Sequence, residues 1–316
     1  MRIAYLGSGE FGIDCLNAIE SSEHNLVMVI TAPPNPAGRG RKPNPTPVAN
    51  WAVSHAVPLL ETDNVNDPKI IERIAYCNPD LILVIAFGQK VKKELVNLPQ
   101  KGSINVHASL LPKYRGAAPI NCAIVEGETK TGVSIITLAD KMDAGKILAQ
   151  SKTQIAPHET AGSLHDKLGK LAAPLLLETL GKIEAGTAVY IEQDDSKVTF
   201  ACKLSKSDGN IDFSEPAQIL ERKIRGYWPW PGASANYISK ETGKAIRVTF
   251  ALAQVVQTTN PQGLTVGSLD EKLNIICGQN ALRIIQLKPS GSALMDFKSF
   301  INGRNTKPGD SFTKIT

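Results

Sequence analysis

Arg2-Ile3-Ala4-Tyr5-Leu6-Gly7-Ser8-Gly9-Glu10-Phe11-Gly12 opens the chain with a short apolar run that breaks into glycines. An apolar run of this length bounded by glycine reads as a buried strand, and Ile13 to Ile19 behind it has helical spacing. The chain therefore begins as a strand, a tight turn and a helix. G-x-G-x-x-G at such a turn lets a phosphate approach a helix N-terminus in dinucleotide sites. Such a site also needs an acid after the second strand to hold a ribose. Here Asn25 to Thr31 runs into Ala32-Pro33-Pro34, and no acid follows before Glu61. The glycines are expected to serve the turn alone, which argues against a nicotinamide-dependent dehydrogenase.

The same alternation continues outward. Leu81 to Phe87 is a continuous apolar run, as in a strand covered on both faces, with Gly88 in the turn that follows, and Ser103 to Val106 is a further strand. Helical segments such as Pro68 to Tyr76 lie between them, so the expected fold is α/β, a doubly wound, mostly parallel sheet. Ala161 to Gly186 carries leucines at helical spacing and should close this domain, residues 1–188. Residues 189–208 lose periodicity and read as a linker. From 209 to 316 a short helix, Ala217 to Arg225, precedes strand-like runs at Ser234–Ile238, Ala245–Val256, Leu264–Leu269, Leu273–Cys277 and Leu282–Leu287, the pattern of a small barrel.

The net charge is +5, and the excess is local: residues 1–190 hold 19 Lys and Arg against 18 Asp and Glu, whereas 203–316 hold 15 against 9. A basic second half suits a partner with a phosphate backbone. Arg222, Lys223, Arg225, Arg247, Lys288, Arg304 and Lys307 are read as surface cations. Tyr227-Trp228-Pro229-Trp230-Pro231-Gly232 is read as a packed anchor at the barrel entry. The five cysteines are scattered without a C-x-x-C pair, so neither a disulfide framework nor a metal site is expected. With no membrane-length apolar run and a strand beginning at once, a cytoplasmic protein is expected.

Polar groups stand where a strand wants carbon in Ser103-Ile104-Asn105-Val106-His107. The period of two sends Asn105 and His107 to one face, and Leu110-Leu111-Pro112 with Gly116 then ends the strand, so both side chains should meet a loop at its carboxyl end. In an open α/β sheet ligands bind there. Spacing alone equally fits polar residues hydrogen-bonded at a strand end. Asp143, in the turn Lys141-Met142-Asp143-Ala144-Gly145, completes an amide, an imidazole and a carboxylate. Together these can take a proton from an amine and steady an oxyanion during acyl transfer.

The string Ser109-Leu110-Leu111-Pro112-Lys113-Tyr114-Arg115-Gly116, with Asn105-x-His107 before it and Met142-Asp143-Ala144-Gly145 after it, resembles the signature of enzymes that transfer formyl from 10-formyltetrahydrofolate. The resemblance implies a Rossmann-like catalytic domain and an OB-like second domain. It makes Asn105, His107 and Asp143 catalytic, and it places Ser109, Leu110, Leu111, Pro112, Gly116, Phe87 and Gly88 along the folate. Pro33 to Pro47, with six prolines, Arg39, Arg41 and Lys42 and no acid, reads as a long basic loop too rich in proline and glycine for helix or strand. It resembles the insertion of the methionyl-tRNA formyltransferases. The strings Lys203-x-x-Lys206-x-Asp208-Gly209 and Trp230-Pro231-Gly232-Ala233 extend the likeness to the second half. That family implies transfer of formyl to initiator methionyl-tRNA for translation initiation, with Arg39, Arg41 and Lys42 on the tRNA, no metal, and a monomer. A formyltransferase acting on an amino sugar or glycinamide ribotide is the alternative, and it leaves the basic loop without a partner. A formyl-folate hydrolase would use the same three groups, while a non-catalytic RNA-binding barrel would leave them unused.

Overall fold

The opening stretch forms β1 (Arg2–Gly7), a 3-10 turn over Glu10–Gly12 and α1 (Ile13–Glu20) in the computed structural model, which describes residues 1–37, 42–258 and 263–315. Tyr5 is fully buried beneath this turn. A Cβ at Gly12 would stand 1.8 Å from its hydroxyl. Gly12 is thus required by the protein's own packing against Tyr5.

The chain continues through β2 (Asn25–Thr31), β3 (Asn35–Ala37), β4 (Lys42–Asn44), α2 (Pro47–Ser54), β5 (Leu59–Glu61), α3 (Pro68–Tyr76), β6 (Leu81–Ile85), α4 (Lys93–Val96) and β7 (Ser103–His107). Then come β8 (Arg115–Gly116), α5 (Pro119–Val125), β9 (Lys130–Thr137), β10 (Ile147–Gln154), α6 (Ala161–Glu184) and β11 (Phe200–Ala201). The main sheet has the order β10-β9-β7-β6-β1-β2-β5. β1, β2, β5, β6 and β7 are parallel, and β9 runs antiparallel to β7. From β1 the chain builds outward to β5 and then returns to lay β6 on the other side of β1. This reversal is the switch point of a doubly wound sheet. Alternate residues of β1 and β6 are buried on both faces, with Tyr5 and Leu83 on one and Leu6 and Ile82 on the other at 0% exposure. That burial is why the β6 sequence is apolar throughout.

The basic segment departs from its reading as neither helix nor strand. β3 and β4 form an antiparallel ribbon with Pro36 opposite Pro43. Proline has no N–H, so two facing prolines fit where opposed residues of a ribbon exchange no hydrogen bond. Thr46 then starts α2 by accepting the Ala49 N–H at 3.0 Å, with Pro47 at the first helical position.

The structure divides into two units. One comprises Met1–Pro119, Lys130–Thr153 and His165–Ala201, the other Ile120–Thr129, Gln154–Leu164 and Cys202–Thr316. The second unit contains α7 (Ala217–Tyr227), β12 (Ala233–Ile238), β13 (Ala245–Val256), β14 (Ile275–Ile276), β15 (Ala281–Pro289), β16 (Met295–Asp296), α8 (Phe297–Arg304) and β17 (Ser311–Thr313). Its antiparallel sheet has the order β14-β15-β13-β12-β17, with β16 paired to β15. Leu264–Leu269, expected as a strand, contributes only its end. Gly267 O accepts Phe312 N–H at 2.8 Å and Ser268 O accepts Ile276 N–H at 2.9 Å, so these residues tie together the two edges, β17 and β14. The sheet is thereby nearly closed into a barrel of OB-like form. Phe213, Tyr237, Phe250, Phe300 and Phe312 fill it, Tyr237 meeting Phe300 edge to face at 5.1 Å.

Two surface readings also change. Arg225 is buried, because its guanidinium fans over the Glu221 carboxylate, with Nη2 to Oε2 at 3.1 Å, and donates to the Glu159 carbonyl at 3.0 Å. Trp228 is half-buried but Trp230 is 54% exposed, so the packing expected of the pair is not met at Trp230.

Candidate active site

β7 ends with Asn105 and His107 on one face, at the carboxyl edge of the parallel strands and beside β6. Asp143 arrives from the connection between β9 and β10. Its Oδ1 accepts from Asn105 Nδ2 at 3.4 Å, its Oδ2 accepts the Gly116 N–H at 2.9 Å, and the same Oδ2 lies 3.6 Å from His107 Nδ1. The three groups therefore meet, with the His107 side chain 6% and the Asp143 side chain 14% exposed.

The hydrogen bonds assign the imidazole protons. His107 Nε2 lies 2.9 Å from the Tyr114 carbonyl oxygen, which can only accept, so Nε2 carries a hydrogen. The other ring nitrogen, Nδ1, faces Asp143. The 3.6 Å separation is too long for a hydrogen bond, which leaves Nδ1 to a third group standing beside the pair. Asn105 likewise has a second N–H beyond the one aimed at Asp143.

The Ser109–Gly116 stretch holds this arrangement through its main chain. Ser109 Oγ donates to the Lys113 carbonyl at 2.7 Å, and the Leu111 N–H donates to Ser134 Oγ at 3.0 Å. Ser134 Oγ donates onward to the Ser109 carbonyl at 2.6 Å. Leu111 is buried, Leu110 and Pro112 are half-buried, and the Leu111–Pro112 peptide is cis. Gly116 has φ 125°, and a Cβ there would stand 2.3 Å from the Ala201 carbonyl oxygen. Phe87 is buried in the apolar cluster of Leu6, Ile30, Val84 and Leu95, against which Val91 and Leu138 pack. Gly88, at φ 79°, is exposed at the end of β6. Arg39 and Arg41 lie outside the described residues, and of Lys42 only its backbone in β4 is described.

Two features escaped the sequence. A hollow of about 520 Å³ lies beyond Gly88, lined by Val91, Val96 and Leu138 and by Lys90, Lys93 and Asp140. Its 138–140 wall leads directly into the Asp143 turn. Arg115 is 6% exposed, and Gln193 bridges it to that turn. An arginine in a motif with no nearby acid was the one available hint of a buried partner, and nothing in sequence spacing pointed to Gln193. Among the described residues no cluster of His, Cys, Asp and Glu could hold a metal ion, and no helix is long and apolar enough to cross a membrane.

The architecture, a doubly wound sheet with an amide, imidazole and carboxylate at its carboxyl edge and a separate OB-like barrel, defines a class, the formyl transferases. The family profile "Formyl transferase" matches residues 1–180, and "Formyl transferase, C-terminal domain" matches 203–305. The chain is 39% identical to the methionyl-tRNA formyltransferase of Trichlorobacter lovleyi, covering 96% of this chain and 94% of that one. It is 37% identical to the methionyl-tRNA formyltransferase of Agathobacter rectalis, covering 99% and 100%. The chain belongs to the methionyl-tRNA formyltransferase family. Solved structures share the fold at low identity. HypX from Aquifex aeolicus with tetrahydrofolic acid has a TM-score of 0.61 at 17% identity over 100% of this chain and 51% of that one. The sugar 3N-formyl transferase WlaRD has 0.63 at 15% over 93% and 99%.

Proposed function

We propose that this protein transfers formyl from 10-formyltetrahydrofolate to the amino group of initiator methionyl-tRNA, in the cytoplasm, acting as a monomer. The meeting of Asn105, His107 and Asp143 around one point carries the reading, since each residue supplies a group the reaction needs. The amine attacks the formyl carbon, and negative charge develops on the formyl oxygen as the amine becomes acidic. The free Asn105 N–H and a proton on His107 Nδ1 are the donors for that oxygen. Asp143 orients the imidazole and takes the amine proton, directly or through water; the tetrahedral intermediate then breaks its carbon–N10 bond, and that proton passes to N10 as tetrahydrofolate leaves.

The hollow beyond Gly88 is where we place the donor. Its valines and Leu138 suit an aromatic ring system, Lys90 and Lys92 suit the acidic tail of a folate while Lys93 is paired with Asp140, and residues 138–140 lead on to the catalytic turn. Ser109, Leu110, Leu111, Pro112 and Gly116 then act through backbone form. For the tRNA, the basic residues Arg39, Arg41 and Lys42 and the basic second unit offer phosphate contacts.

Labelled formyl-folate and charged methionine tRNA should give acid-precipitable formyl. Release of formate without an acceptor would instead identify a hydrolase, and transfer to an amino sugar with none to tRNA would identify the small-amine enzyme.

A further inference from the structure

We infer that Gln193 is a positioning residue for the reaction, a side-chain amide that joins the buried Arg115 guanidinium to the main chain of the Asp143 turn. Arg115 Nε and Nη2 donate to Gln193 Oε1 at 3.0 and 2.8 Å, and Nη2 also reaches Asp195 Oδ1 at 2.9 Å. Arginine can only donate, so the oxygen of Gln193 must face it and the amide nitrogen must face away. That nitrogen has two hydrogens and two acceptors, the carbonyls of Asp143 at 2.7 Å and Gly145 at 2.8 Å. The orientation of the amide is fixed on one side by a charged donor and spent on the other on the turn that carries the carboxylate.

The neighbouring residue acts on the same target. Gly116 donates its N–H to Asp143 Oδ2, so residues 115 and 116 hold Asp143 at once by its carboxylate and, through Gln193, by its main chain. Asp143 has φ 52°, in the left-handed region that aspartate tolerates better than most residues, so the orientation of its carboxylate depends on what holds the turn. A small rotation there would swing the carboxylate off His107 Nδ1, which it already meets at only 3.6 Å. Gln193 therefore acts on turnover through Asp143 and does not touch substrate. The inference rests on the proposed role of Asp143.

Gln193→Glu separates this from a role in merely seating Arg115. The carboxylate still accepts from Arg115 but has no hydrogen for the two carbonyls. The expected outcome is a lowered thermal midpoint with unfolding still cooperative, an unchanged KM for methionyl-tRNA, kcat lower by about 10- to 100-fold, and faster hydrogen exchange confined to residues 141–145. Unaltered kcat with unaltered exchange at 141–145 overturns the proposal, as does exchange that rises throughout the sheet, which marks a merely structural residue. Should Gln193→Glu fail to fold, Gln193→Asn, too short to span the gap, takes its place with the same readouts. The exchange arm needs no activity: if the unaltered protein transfers no formyl, the functional reading fails, while localised exchange still reports on the link.

Discussion

Tyr114 at φ 62° and Asp143 at φ 52° both hold left-handed backbone, a conformation that costs an ordinary residue about 1–2 kcal/mol. Tyr114 supplies the carbonyl that sets the His107 proton, and Asp143 supplies the carboxylate, so the strain sits where geometry matters most. Asn105→Ala should lower single-turnover formyl transfer by about 10²- to 10³-fold while tRNA affinity is kept, because it removes one oxyanion donor. Near-normal transfer would strip Asn105 of that role. Gly116→Ala adds a Cβ within 2.3 Å of the Ala201 carbonyl oxygen and should lower stability by about 1–3 kcal/mol in denaturant unfolding. At this scale the alternation of Asn105 and His107 was legible, since the period of a strand alone puts them on one face. The aim of the Asp143 carboxylate, the Tyr114 carbonyl and the Gln193 link was not, because each depends on a partner many residues away.

Among elements, the β3/β4 ribbon shows how composition misleads. Proline and glycine counted against a strand, yet a pair of prolines fits the unbonded position of a two-stranded ribbon. Arg39→Ala, in the segment this ribbon flanks, should weaken use of charged tRNA far more than turnover of a minimal acceptor, and equal effects in the two assays would reject the tRNA role. Helix α7 offers a contrast in ion pairs. Glu221→Ala would leave Arg225 buried with only the Glu159 carbonyl as a described partner and should cost about 3–5 kcal/mol. Glu241→Ala removes the partner of Lys307, a pair 54% and 65% exposed at its side chains, and should leave the unfolding midpoint nearly unchanged. Chemical denaturation of the two variants side by side checks both.

Over the whole molecule, the cysteines test the burial pattern. Burial pushes the thiols of Cys15 and Cys277 up to about 12, so neither holds appreciable thiolate at pH 8, and both side chains are shut from reagent. A disulfide reagent at that pH should label exposed Cys202 in the native protein and reach Cys15 and Cys277 only after denaturant is added. Rapid native labelling of all five would contradict the fold.

The chain by itself determined the alternating strands and helices, the apolar runs of the doubly wound sheet and the polar pair at the end of β7, because local periodicity and turn residues encode these over a few positions. Tertiary structure alone decided that Gly267–Leu269 fastens two barrel edges, that Arg225 goes inside, and that Asp143 turns to His107 under the hold of Gly116 and Gln193. Hydrogen bonds between distant segments leave no repeating signature along a sequence, and only folding brings their donors and acceptors within 3 Å.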